Sequence, residues 1–193
     1  MENNYFSDAT IYLANVILGS YGFIIMIRLV LQLVEADFYN PICKAIHSIT
    51  NPVLKPVRAF LPHFKRIDSA SLLMVITFEI IAVWFTLKLK SSMNPSLLGL
   101  IVLSLGSTLG EFVRIFTWSI IIQAFLSWIA PDPRNPIVSV LNSITAPILS
   151  KARTVLPSTP GVDFSPIIAL VALQLTLMLI VNPLHDAGKM LLF

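Results

Sequence analysis

Residues 37–68 read DFYNPICKAIHSITNPVLKPVRAFLPHFKRID, and residues 132–163 read DPRNPIVSVLNSITAPILSKARTVLPSTPGVD. A shift of 95 residues lays one on the other without a gap. Asp37, Asn40, Pro41, Ile42, Ser48, Ile49 and Thr50 fall on Asp132, Asn135, Pro136, Ile137, Ser143, Ile144 and Thr145. Pro52, Leu54, Arg58, Leu61, Pro62 and Asp68 fall on Pro147, Leu149, Arg153, Leu156, Pro157 and Asp163. Thirteen identities in 32 positions mark an internal repeat, and a repeat of this length makes each half one structural unit.

The flanks agree with the repeat. Residues 9–33 are apolar apart from Arg28 and Gln32, and 70–89 are broken only by Glu79 and Lys88. In the second half, 110–130 and 164–184 hold the same places. About 20 apolar residues are enough to cross a bilayer as a helix, so four spans are predicted. Residues 97–108, with Gly99 and Gly106, read as an interfacial or bent extension of the third span, or as a short re-entrant piece. As one helix, 96–130 would run about 52 Å, longer than a bilayer requires.

Composition supports the same class. The chain has 193 residues, 56% hydrophobic and 12% charged. A soluble domain carries about 25% charged residues, so this chain lacks the polar skin of a soluble enzyme and is too apolar for intrinsic disorder. The expected fold is an all-α membrane protein of two tandem repeats, 1–95 and 96–193. Each is span, amphipathic helical hairpin, span. A unit with two spans returns to its starting side, so the repeats are parallel. The hairpin segments carry Lys44, Lys55, Arg58, Lys65, Arg66, Arg134, Lys151 and Arg153, against Lys88, Lys90 and Lys189 on the other side. That bias places the hairpins in the cytoplasm and both termini outside. Residues 1–8 lack the Lys or Arg of a cleavable signal peptide. The single cysteine, Cys43, then lies in a reducing compartment as a small, semi-buried side chain.

Within the hairpins, Ile42, Ala45, Ile46 and Ile49 share a helical face, with Lys44 and His47 opposite. Asn40 and Asn135 suit N-caps, followed by Pro41 and Pro136 at the first helical position. Thr50-Asn51-Pro52 is expected to break the helix, with a second stripe over 53–61 that Pro62 ends. Lys55, Arg58, Lys65, Arg66, Lys151 and Arg153 are expected to face anionic lipid headgroups, each contributing about 1 kcal/mol of attraction. The apolar face of these helices argues against a nucleic-acid partner. Asp68 and Asp163 form a matched carboxylate pair. They read as helix starts, with Ser165 as a cap and Pro166 at the first position, rather than as a protease dyad.

These paired signatures (Asn-Pro, Ile-Thr-x-Pro, Arg, Leu-Pro, Ile/Val-Asp-x-Ser) resemble those of the YggT family, and 37–41 and 67–72 resemble its proteobacterial members. The resemblance covers nearly the whole chain, and single-repeat relatives include the YlmG proteins. It implies an integral bacterial inner-membrane protein with no established enzymatic activity and no cofactor. It also implies an association with osmotic-shock tolerance and potassium homeostasis. Relatives are associated with envelope or nucleoid organisation and with assembly of a plastid cytochrome complex. Members often carry Arg where this chain has Gln123, a departure from the family pattern.

Charge inside a span costs about 2.5 kcal/mol or more near the helix centre, so Arg28 and Glu79 stand out. They are expected to pair across two helices, and the 95-residue shift turns them into Gln123 and Gln174. A structural clamp, an ion or proton path, and a lone snorkelling Arg28 are the readings of that pattern. Glu111 and Arg114, spaced i,i+3, are expected to form a local pair. His47, His63 and His185 share no ligand spacing, and no phosphate loop, nucleophile elbow or zinc-protease motif is present. The expectation is a non-enzymatic protein that organises or helps assemble membrane complexes, with a membrane-protein partner or a second copy of itself. An oligomeric conduit or regulator of potassium or small osmolytes is the alternative.

Overall fold

The computed structural model describes residues 5–61, 67–90, 94–129, 134–155 and 163–192. Its helices are α1 (Tyr5–Leu33), α2 (Pro41–Arg58), α3 (Ser69–Lys90), α4 (Leu97–Ile129), α5 (Pro136–Val155), α6 (Ser165–Thr176) and α7 (Asn182–Met190), with a π-helical turn at Leu177–Val181 joining the last two. No strand occurs among the described residues. Four helices are long and apolar enough to cross a membrane: Tyr5–Leu33, Ser69–Lys90, Leu97–Ile129 and Ser165–Met190. The four-span, two-repeat architecture therefore holds.

Three elements differ from the sequence expectation. First, each hairpin is one continuous helix. α2 runs through Pro52 and Pro56, and α5 runs through Pro147. A proline inside a helix removes one backbone bond and crowds the preceding turn. Here all three rings lie on exposed faces, where water can satisfy the freed carbonyls. The opposite face of α2 holds the helix together: Leu54 and Thr50 are 0% exposed, and the Thr50 hydroxyl donates to Ile46 O at 2.7 Å. Second, 97–108 is not a separate re-entrant piece. It is the first third of the 33-residue α4, a helix of about 50 Å at about 1.5 Å per residue. Third, the last span extends to Met190. Pro183 has no N–H to give, and the Asn182 N–H bonds to Leu177 O, one residue wider than in an α-helix.

The long α4 has a mate along that extra length. α7 lies against it so closely that a Cβ built on Gly188 would sit 2.5 Å from the Leu103 backbone. A Cβ on Gly99 would sit 2.5 Å from Leu191 O. Small residues allow such backbone approach. The Ser96 hydroxyl donates to Leu191 O, and Ser96 N donates to Leu192 O at 2.9 Å, tying the start of α4 to the end of the described chain. At the other end of the bundle lies the main core. There Ile25, Leu29 and Val30 of α1, Cys43 and Leu54 of α2, Val75 of α3, Phe116 of α4 and Ile144 of α5 bury one another. α1 packs mainly on α3 within the first repeat, while α3–α4, α2–α5 and α1–α5 contacts join the repeats.

Asn40 caps α2 as expected, its Oδ1 accepting from Ile42 N at 2.9 Å, and Asn135 does the same for Ile137 N at 2.9 Å. Asn40 also reaches across the repeats, its Nδ2 donating to Pro136 O at 2.9 Å. α1 ends with Glu35 in the left-handed region (φ 54) and Ala36 N bonded back to Leu31 O at 2.9 Å. That six-to-one bond closes the helix C-terminus and turns the chain toward α2.

Candidate functional site: the cavity between the repeats

Two sets of polar tethers fix α2 and α5 to the spans, and the repeat duplicates both. In the first repeat, Arg28 of α1 donates from Nη1 to Thr50 Oγ1 at 2.5 Å and to Asn51 Oδ1 at 3.0 Å. The equivalent in the second is Gln123 of α4, whose Oε1 lies 2.5 Å from Thr145 Oγ1. Gln123 Nε2 also donates to Asn142 Oδ1 at 2.6 Å. The other tether joins the end of α2 to the start of α3. Arg58 donates to both oxygens of Asp68, and Ser71 Oγ donates to Asp68 Oδ2 at 2.6 Å. Its counterpart is Arg153, which donates to Asp163 Oδ2 at 3.1 and 2.8 Å. Asp163 Oδ1 in turn accepts from Ser165 N at 2.9 Å.

The two ion pairs have equal chemistry and unequal surroundings. The Arg58 and Asp68 side chains are 25% and 0% exposed, against 60% and 48% for Arg153 and Asp163. Burial alone would push the Asp68 carboxyl up, but the hydrogen bonds from Arg58 and Ser71 outweigh it and hold the group below the usual range. Ser165 and Arg153 draw the exposed Asp163 down to about 2. Burial pushes the Cys43 thiol up and His47 down.

Between the repeats lies a cavity of about 750 Å³. Its wall repeats the chain's own symmetry: Phe23 and Trp118, Ile27 and Ile122, Ile42 and Ile137, and Ile46 and Leu141 are four pairs related by the 95-residue shift. Apart from Ser119, the α2–α5 end is apolar. The far end is polar and comes from α3 and α4 only, with Glu79, Ser107, Glu111 and Arg114 in the wall. Glu79 lies beside Ser107 of α4, with His185 and Arg114 near it. Glu79 also borders a second cavity of about 350 Å³ with Asn15 and Thr86, toward the opposite end of α3.

This arrangement corrects several expectations. Arg28 and Glu79 do not meet. Arg28 turns to α2 because Thr50 and Asn51 offer acceptors there, and Glu79 turns to α4. Gln123 likewise turns to the helix between the spans, α5, and Gln174 is exposed on the outer face of α6. Glu111 and Arg114 share the cavity wall without an ion pair between them among the described residues. At the α6 start the capping acceptor is Asp163, while Ser165 is the first helical residue, since its N–H rather than its hydroxyl needs the partner. Asp68 holds the same place before α3. Arg58 and Arg153 are taken up by their aspartates, which leaves Lys55 and Lys151 exposed as free-standing basic groups on those helices. Lys65, Arg66 and His63 lie outside the described residues. The inward face of α2 is Cys43, Thr50 and Leu54, so Cys43 is fully buried rather than half-buried. The cavity itself was not legible from the sequence. Its one signal was the cluster of Ser107, Glu111 and Arg114, one helical turn apart on α4.

A polytopic helical bundle with duplicated span–helix–span units is the class this fold defines. The CCB3/YggT family model matches twice, at residues 7–89 and 102–184, again 95 residues apart, and the chain belongs to that family. It is 37% identical to an uncharacterised protein of Pseudomonas aeruginosa over 179 residues, covering 92% of this chain and 91% of the relative. It is 32% identical to YggT of Escherichia coli over 182 residues, covering 94% of each. A Vibrio alginolyticus protein is 29% identical over 167 residues, covering 84% of this chain and 88% of the relative. No solved structure matches the chain.

Proposed function

We propose that this is a non-enzymatic protein of the bacterial inner membrane, with both termini periplasmic, that organises or helps assemble membrane complexes. The observation that carries this reading is the duplicated tethering of α2 and α5. Each helix is locked to its spans through a Thr at its middle and an Arg–Asp pair at its C-terminal end, and Asn40 bonds the two together. Such locking gives a stiff cytoplasmic platform, and a stiff surface loses less entropy when a partner docks on it. Lys55 and Lys151 face anionic headgroups from that platform, and Phe60 and Tyr39, 89% and 85% exposed, offer aromatic anchors to a membrane-protein partner or a second copy. The family's association with osmotic-stress tolerance fits a role in keeping such complexes assembled.

The cavity favours one other reading, an oligomeric conduit or regulator for potassium or small osmolytes. Two measurements separate them. Photo-crosslinkers at Phe60 and Tyr39 in living cells should give discrete protein adducts. Liposomes carrying the purified protein should leak potassium no faster than protein-free liposomes. Flux that scales with protein, with only lipid adducts at Phe60 and Tyr39, would reverse the choice.

A further inference from the structure

We propose that this chain associates head to tail with a second copy of itself in the plane of the membrane, α6 of one copy packing on α1 of the next. Such association is compatible with either reading of function and uses a surface other than Phe60 and Tyr39. The chain already makes one contact of this kind. Where the first repeat meets the second, α3 packs on α4: Glu79 lies beside Ser107, and Val83 packs against the cluster that holds Leu100. The 95-residue shift carries Glu79 and Val83 forward to Gln174 and Met178 on the last span. It carries Ser107 and Leu100 back to Tyr12 and Tyr5 on α1. The duplication has therefore built both halves of a second such contact. Within one chain those halves stay apart, because α4 packs on both α1 and α6, which do not meet each other among the described residues. All four residues are exposed, and the last span is the least covered of the four.

Gln174 gives this open face a demand that lipid cannot meet. It lies nine residues beyond Ser165 at the start of its span, about 14 Å at about 1.5 Å per residue and so near the middle of a hydrocarbon core of about 30 Å. Its side-chain amide makes no hydrogen bond among the described residues. An amide left unpaired in hydrocarbon is costly, and lipid tails carry neither donor nor acceptor. The Tyr12 hydroxyl of a neighbouring copy can both donate and accept. The two repeats have the same orientation, so Gln174 and Tyr12 lie at matching depths, as Glu79 and Ser107 do. Polar side chains placed in this way join helices inside membranes. Val171 and Val16, both exposed one turn farther toward α5 and α2, flank the pair at a common depth. A face of α6 meeting a different face, on α1, is a heterologous contact, which repeats from copy to copy as a ring or a file.

The test uses full-length chains in liposomes, in a Cys43→Ser background. One chain carries Val16→Cys and the other Val171→Cys, which leaves Tyr12 and Gln174 in place. Mixed in one membrane and oxidised with copper phenanthroline, the two should form a disulfide-linked dimer, whereas neither should do so alone. A chain carrying both cysteines should give a ladder of linked copies. At low protein-to-lipid ratio, Gln174→Leu should lower the yield of mixed dimer about threefold, the worth of one interhelical hydrogen bond in a membrane. Tyr12→Phe, which keeps the ring and removes only the hydroxyl, should do the same from the other side of the contact. Linked dimers from Val171→Cys alone would mean a two-fold contact. A disulfide confined to single chains would mean closure of α1 on α6 within the chain, and no linkage at all would leave the face to lipid or to another protein. Each of these results, or an unchanged yield in Gln174→Leu or Tyr12→Phe, would overturn the proposal.

Discussion

Arg58 and Arg153 occupy the same place in the two repeats and bind the same kind of partner, yet burial makes their energies differ. Removing Arg58 leaves Asp68, 0% exposed, as an uncompensated buried charge, a loss of about 3–5 kcal/mol. Removing Arg153 leaves Asp163 half in solvent, where an ion pair is worth about 0–1 kcal/mol. Thermal unfolding in nanodiscs should therefore rank Arg58→Ala far below Arg153→Ala, and equal losses would refute the burial argument. Both carboxyls sit below their unfolded value of about 3.9. Their stabilisation is thus complete above about pH 4 and is lost as pH falls toward about 2, where Asp163 titrates. Arg58→Ala should flatten that acid limb. The second residue-scale prediction concerns Arg28. It is 1% exposed, and its Nε and Nη2 find no acceptor. A glutamine makes the equivalent bond to Thr145 in the second repeat, so Arg28→Gln should be neutral or stabilising within about 1 kcal/mol. Because Arg28 and Glu79 share no partner, Arg28→Gln and Glu79→Gln should add to within about 0.5 kcal/mol. A double-mutant cycle showing larger coupling would restore the clamp.

At the scale of elements, the α4–α7 pair depends on bare backbone. Alanine at Gly188 or Gly99 meets backbone atoms at 2.5 Å, which no side-chain rotation can relieve, so the helices must part. Small-to-large changes in packed interfaces cost about 1–3 kcal/mol. Gly19 is also inside a helix but has nothing within 4 Å of its built Cβ. There alanine should stabilise by about 0.5–1 kcal/mol, because glycine is a poor helix former. The three melting temperatures, compared in one lipid, check this directly, and a loss at Gly19 equal to that at Gly188 would remove the role given to backbone contact. α2 shows the converse effect. Its Pro52 marked a break by local rules, but the buried Thr50 and Leu54 keep the turn helical.

For the whole molecule, orientation rests on the placement of Lys and Arg. The buried Cys43 would react slowly from either side, so it is a poor reporter. In a Cys43→Ser background, Lys55→Cys on α2 and Asn94→Cys before α4 are exposed at opposite ends of the bundle. An impermeant maleimide should label position 94 in intact spheroplasts and position 55 only after lysis. Labelling in the reverse order would invert the proposed topology.

By itself the sequence determined the class, the number of spans, the duplication and the asparagine caps of α2 and α5. All of these follow from local hydrophobicity, from turn chemistry and from a 95-residue identity that needs no third dimension. The tether ends were legible as conserved positions of the repeat: Thr50 with Thr145, Arg58 with Arg153, Asp68 with Asp163. Which groups they hold was not, because a buried arginine chooses its acceptor by which helix lies beside it. Arg28 therefore went to Thr50 rather than to Glu79. The tertiary structure alone decided that the prolines of α2 and α5 are tolerated, since exposure of their rings depends on which face packs inward. It alone made the cavity, for a space between two repeats exists only once both are folded against each other. Glu79, Glu111 and Arg114 are single charges in apolar runs when read along the chain, and they become one site because α3 and α4 lie side by side.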